Sequence, residues 1–150
     1  MSEILTDKHD RVVAYAEEEL RMRGYHSLHY HKTGSAFMGS DNPGDYDVVV
    51  LLNKKTDLHR LARTMYENGG WVDCASDQAS PEYEDETNTY YKTWVAIRKL
   101  DANIIITTDP AWYWRHLGAA FLCKYMDEKP LDKDHRIALF RLVRDGLEGW

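Results

Sequence analysis

The sequence predicts an α/β (α+β) fold, a mixed sheet of four or five strands flanked by helices, with further helices at the C-terminus. Three observations carry this expectation. Asp45-Tyr46-Asp47 runs into Val48-Val49-Val50-Leu51-Leu52, an unbroken apolar run of strand length, as a strand buried on both faces requires. Residues 90–98 and 102–107 are rich in β-branched and aromatic side chains and are parted only by Lys99 to Asp101, the pattern of a hairpin. Apolar residues before, between and after these runs recur at steps of three and four, bounded by capping residues.

Taken in order, Thr6 or Asp7 can cap a first helix whose apolar stripe is Val12, Val13, Ala16 and Leu20 and which Gly24 stops. A strand follows over Tyr25 to Thr33, with Ser27, His29 and His31 on one face and His26, Leu28, Tyr30 and Lys32 on the other. A Gly34-Ser35 turn leads on to the Asp45 to Leu52 strand. Asp57 caps a helix that buries Leu58, Leu61, Ala62 and Met65 and closes at Asn68-Gly69-Gly70. Trp71 to Cys74 is a short strand, and Tyr90 to Arg98 pairs with Ala102 to Thr107, the second arm lying centrally in the sheet. Asp109 caps a helix with Pro110 at its first position and Trp114, Leu117, Phe121 and Tyr125 along it, broken at Lys129-Pro130. A last helix from about Asp132 carries Ile137, Phe140 and Val143 inward and ends near Gly146.

With 150 residues, a net charge of −6 and 43% hydrophobic residues, the chain reads as one domain spanning 1–150. No apolar run approaches the roughly 18 residues of a membrane span and no leader pattern is legible, so the expected location is the cytoplasm, without membrane contact. The acidic balance argues against broad DNA or RNA binding, which rests on cations that neutralise phosphates. Cys74 and Cys123 lack CxxC spacing and read as core thiols. The stretch from Asp73 to Glu86, with Asp77, Glu82, Glu84, Asp85 and Glu86 around Pro81, reads as a solvated acidic loop.

The chemistry concentrates in residues 34 to 47. Asp45 and Asp47 are two apart at the start of a strand and therefore share a face, where two carboxylates repel unless a cation lies between them. Ser35, after a glycine that admits close backbone approach, can offer a hydroxyl and an N–H to an anion held by that cation. The plainer account is a Pro43-Gly44 turn whose aspartates only mark the strand entry.

Gly34-Ser35, an interval with Gly39-Ser40 and Pro43-Gly44, then Asp45-Tyr46-Asp47 and a valine-rich strand together resemble the nucleotidyltransferase superfamily, the fold related to DNA polymerase beta. Asn103-Ile104-Ile105-Ile106-Thr107-Thr108-Asp109-Pro110 and Lys133-Asp134-His135-Arg136-Ile137-Ala138-Leu139-Phe140 are similar to small nucleotidyltransferase-like proteins of tailed phages. The resemblance implies a nucleoside triphosphate held by Gly34 and Ser35, two Mg²⁺ (or Mn²⁺) ions bound by Asp45 and Asp47, and transfer of a nucleoside monophosphate to a protein or RNA hydroxyl. It also implies a third carboxylate on a neighbouring strand. There the chain departs from the family: Asn103 stands in that place, and a neutral amide cannot accept a proton as a carboxylate does. Asp101 has the same strand parity and is the other candidate, unless it lies in the hairpin turn.

Lys133, Arg136 and Arg144 are spaced to face the phosphates from the last helix, though basic residues on such a helix are commonly solvated. His29 and His31 could join Asp45 or Asp47 around a zinc ion, yet no spaced third ligand accompanies them. Trp112, Tyr113 and Trp114 read as core or interface before they read as a base-stacking platform. The sequence thus supports two functions of different class: a metal-dependent nucleotidyltransferase, or a catalytically degenerate member that binds a nucleotide or a host protein, for example as a phage accessory or toxin/antitoxin-like factor.

Overall fold

The computed structural model describes residues 8–26, 29–38, 44–53, 56–76, 80–84, 90–91, 93–125 and, further on, 137, 140, 141, 143 and 144. In chain order they form α1 (Lys8–Arg21), β1 (His29–Thr33), α2 (Gly34–Phe37), β2 (Tyr46–Leu51), α3 (Leu58–Gly69), β3 (Val72–Ser76), β4 (Ser80–Glu84), β5 (Tyr90–Tyr91), β6 (Trp94–Lys99), β7 (Ala102–Thr107) and α4 (Pro110–Tyr125). The mixed α/β architecture is as the sequence predicts. Five strands make one sheet in the order β1-β2-β7-β6-β3, with β2 and β7 parallel and the other neighbours antiparallel. The expectation that residues 102–107 lie centrally holds: β7 is the middle strand.

Both faces of the sheet are covered, which is why residues 48–52 are apolar without alternation. On one face α1 contributes Val12, Ala16 and Leu20, and α3 contributes Leu58, Leu61, Ala62 and Met65, against Val48, Val50, Ile97, Ile104 and Ile106. On the other, Trp112, Tyr113 and Leu117 of α4 cover Val49 and Leu51. Burying one such aliphatic side chain contributes roughly 1.5–3 kcal/mol.

The helix boundaries follow from local chemistry. α1 ends as Gly24 turns to a φ of +89°, with Tyr25 N–H donating to the Leu20 carbonyl and Gly24 N–H to that of Arg21. Asp57 caps α3 by accepting from Arg60 N–H (3.2 Å), and Gly70 closes it at a φ of +73°. Asp109 caps α4 by accepting from Ala111 N–H (3.0 Å). The expected caps Thr6 and Asp7, the Lys129-Pro130 break, and the Asp132 and Gly146 ends of the last helix lie outside the described residues. Ile137, Phe140, Arg141, Val143 and Arg144 are helical, and Phe140 packs against Phe37, Met38, Ala120 and Cys123.

Several expectations need correction. Gly34-Ser35 is not a turn between strands but the first turn of the short helix α2, entered directly from β1. Residues 73–86 are not one loop: β3 extends to Ser76, and β4 pairs with β5 in a separate two-stranded sheet, so Tyr90 does not belong to β6. Cys123 is buried as expected, whereas Cys74 is exposed, because β3 is an edge strand with four exposed residues, Val72 to Ala75. The buried side of α4 is Trp112, Tyr113, His116, Leu117, Ala120 and Cys123, while Trp114 and Phe121 of the expected stripe are exposed.

Candidate functional site

Strand register builds the site. Thr33 of β1 is the cross-strand partner of Asp47, Asp47 that of Asn103, and Asn103 that of Arg98. Residues paired in this way project from one face, so Thr33, Asp47, Asn103 and Arg98 form a polar row across four strands on the side that α4 covers. Asp45 stands just before β2 and accepts a hydrogen bond at Oδ2 from Arg98 Nη2 at 2.9 Å. The Asn103 amide donates to the Asp47 carboxylate.

Asp47 lies under the first residue of α2. Gly34 has a φ of +78°, and a Cβ placed on it would be 1.9 Å from Asp47 Oδ2, so glycine is demanded both by conformation and by contact. Burial pushes the Asp47 carboxyl up to about 6, and the Asp45 charge adds to that; the Asn103 hydrogen bond and the Arg98 charge pull the other way. Buried His9 of α1 donates from Nε2 to the Asp47 carbonyl (2.6 Å), tying the start of β2 to the helix behind it. On the near side, Thr33 Oγ1 and His116 Nε2 share a hydrogen bond of 2.8 Å between β1 and α4.

In front of Asp47 is a cavity of about 340 Å³, bordered by Gly34 and Ser35, by Met38 and Trp94, and by Arg141 and Arg144. Its walls divide by chemistry. Ile105, Ile137 and Phe140 continue the apolar part, and the two arginines bring positive charge to a lining whose acid is Asp47. The Arg144 guanidinium lies 5.5 Å from the Trp94 ring centre, 5.6 Å from that of Trp112 and 5.3 Å from that of Phe140, which anchors its helical segment over the α4 side of the sheet.

Among the described residues, Asp47 Oδ1 and Asn103 Oδ1 are buried and accept no hydrogen bond. Two buried acceptor oxygens, one of them charged, are donors of the hard-oxygen type that Mg²⁺ or Mn²⁺ takes. If such an ion bound here, Asp47 Oδ1 and Asn103 Oδ1 would be the protein oxygens to hold it. No group of three or more His, Cys, Asp or Glu side chains able to hold a metal occurs among the described residues.

Of the residues singled out in the sequence, Gly34, Ser35, Asp47 and Asn103 converge, with Asp45 beside them. Asp101 does not join them. It sits in the β6-β7 turn, where its carboxylate is 2.5 Å from Lys8 Nζ and is held below the usual carboxylate range by that ammonium. Lys133 and Arg136 lie outside the described residues. His29 and His31 face aromatic rings instead of Asp45 or Asp47: His29 is 6.2 Å from Trp114, and His31 is 5.3 Å from Phe37 and 5.1 Å from Phe121, ring centre to ring centre. Their Nδ1 and Nε2 atoms therefore make no zinc site with the aspartates.

Arg98, Arg141, His9 and His116 were not singled out in the sequence. For Arg141 a signal existed, since it follows Phe140 and is four residues from Ile137, both on the expected last helix. Nothing local marks the other three, which reach the site from β6, α1 and α4. No protein-family model matches this chain, and neither a curated protein nor a solved structure matches it.

Proposed function

We propose that this chain is a nucleotidyltransferase-like protein whose cavity binds the phosphates of a nucleoside triphosphate together with a Mg²⁺ (or Mn²⁺) ion. The observation that carries this reading is the stacking of Gly34 on the Asp47 carboxylate: a close backbone and a carboxylate oxygen without a donor meet in the lining of the cavity, and Asn103, with its own donor-less oxygen, is the cross-strand partner of Asp47. Arg141 and Arg144 also line the cavity and bring charge suited to phosphate. A divalent ion bound there would neutralise phosphate oxygens. Ser35 would donate to a phosphate oxygen, and the apolar wall of Met38, Trp94 and Phe140 would take a base or ribose.

Binding without turnover is the reading the residues support best. Transfer needs a group to accept the proton of an incoming hydroxyl, Asn103 cannot, and Asp101 is engaged by Lys8. The second reading, transfer of a nucleoside monophosphate to a protein or RNA hydroxyl, keeps Asp47 as the ion's ligand and needs its proton acceptor from the acceptor substrate or solvent.

Calorimetric titration with each of the four ribonucleoside triphosphates, with and without Mg²⁺, tests the proposal. Magnesium-dependent binding that disappears in Asp47→Asn is expected. Equal heats for both proteins, or none for either, would refute it. A parallel incubation with α-labelled triphosphates separates the two readings, since label on protein or RNA that depends on Asp47 requires transfer.

A further inference from the structure

We infer that Arg98 is a built-in counter-cation that keeps Asp45 out of ion binding and limits the site to a single divalent ion; this rests on the reading of Asp47 and Asn103 as that ion's ligands. Arg98 Nη2 donates to Asp45 Oδ2 at 2.9 Å, and the arrangement is imposed by the sheet: Arg98 is the cross-strand partner of Asn103, which is itself the partner of Asp47. The guanidinium is thereby delivered to the side of the row where Asp45 enters β2.

The side chains of the pair are 48% and 30% exposed. An ion pair so open to water adds little to the fold. Its consequence is electrostatic. Asp45 and Asp47 alone present two negative charges two residues apart, an arrangement that attracts a second divalent cation to bridge them. With Arg98 bonded to Asp45, the net negative charge of the two aspartates and this arginine falls from two to one, and one Asp45 oxygen is already hydrogen-bonded. Asp47 feels the same guanidinium, which opposes the upward push of burial on its carboxyl.

Electron paramagnetic resonance titration with Mn²⁺ reads the stoichiometry directly, with Asp47→Asn as the blank for ions bound elsewhere on this acidic chain. The wild-type protein is expected to hold one Mn²⁺ that the blank lacks. Arg98→Gln should hold two, Arg98→Lys one, and the double variant Arg98→Gln/Asp45→Asn one again. A count of one in Arg98→Gln, or of two in the wild type, overturns the role of Arg98 while leaving the ion site intact. No Mn²⁺ above the blank in any protein overturns the ion reading and this inference with it.

Discussion

Gly34 covers the Asp47 carboxylate so closely that a single added carbon on Gly34 would lie 1.9 Å from Asp47 Oδ2. The strand carboxylate therefore occupies the space that any side chain at the helix entry would need.

Gly34→Ala is expected to destabilise the protein by about 2 kcal/mol or more, because alanine is strained at a φ of +78° and its methyl displaces Asp47. Triphosphate binding should fall with it. Gly44→Ala meets nothing within 4 Å and serves as the control expected to change little. Urea denaturation of the three proteins checks this, and equal midpoints for Gly34→Ala and the wild type would count against the contact.

The Asp47 carboxyl gives the protein a pH dependence of definite sign. Its value rises from 3.8 to about 6 on folding, so the folded chain holds this proton more tightly than the unfolded one. The corresponding stability is fully present below about pH 4 and is lost as pH rises through 6; it amounts to roughly 3 kcal/mol at most. Asp47→Asn should accordingly be more stable than the wild type at pH 8 and close to it at pH 4. Added Mg²⁺ should raise wild-type stability at pH 8 and leave the variant unchanged. Denaturation curves at the two pH values decide it, and a variant that gains nothing at pH 8 contradicts the buried ionised carboxylate.

Asn103→Asp places a carboxylate opposite Asp47 at the same register. Without metal this should lower stability at pH 8 by about 1–3 kcal/mol through like-charge repulsion in a partly buried site. With Mg²⁺ it should bind the ion more tightly than the wild type. Thermal melts across a Mg²⁺ series measure both effects, and a variant that is indifferent to Mg²⁺ would show that position 103 does not face the ion.

Leu100, at the tip of the β6-β7 hairpin, has a φ of +55° and is 89% exposed. A branched residue is disfavoured in the left-handed region, and so exposed a side chain gains no burial in compensation. Leu100→Asn should raise stability by about 0.5–1 kcal/mol, since asparagine tolerates that conformation. A lower denaturation midpoint in the variant would mean that the Leu100 side chain makes contacts that its exposure does not suggest.

The elements that were legible in the sequence are those that local chemistry dictates. The α3 stripe of Leu58, Leu61, Ala62 and Met65, the Asp57 cap and the Gly70 stop are all within reach of a few neighbouring residues, and each is found where expected. The 25–33 strand is shorter than expected, starting at His29 within the described residues, and Cys74 is exposed because β3 closes the sheet on that side. Edge and centre are properties of the assembled sheet, and a strand's own pattern does not record which neighbour it lacks.

The candidate site divides along the same line. From the sequence alone came the α/β fold class, the shared face of Asp45 and Asp47 and the shared parity of Asp101 and Asn103, because spacing along one strand determines what shares a face; grouping Gly34-Ser35 with the aspartates, and looking for a third ligand at 101 or 103, followed from the family resemblance. Register decided the rest. Pairing Asp47 with Asn103 set an amide opposite it, placed Arg98 next in the row, and left Asp101 in a turn bound to Lys8. Docking of α1 and α4 on opposite faces then brought His9 and His116 to the same few residues. These partners are 38 and 83 positions apart along the chain, a separation that only the packed sheet spans.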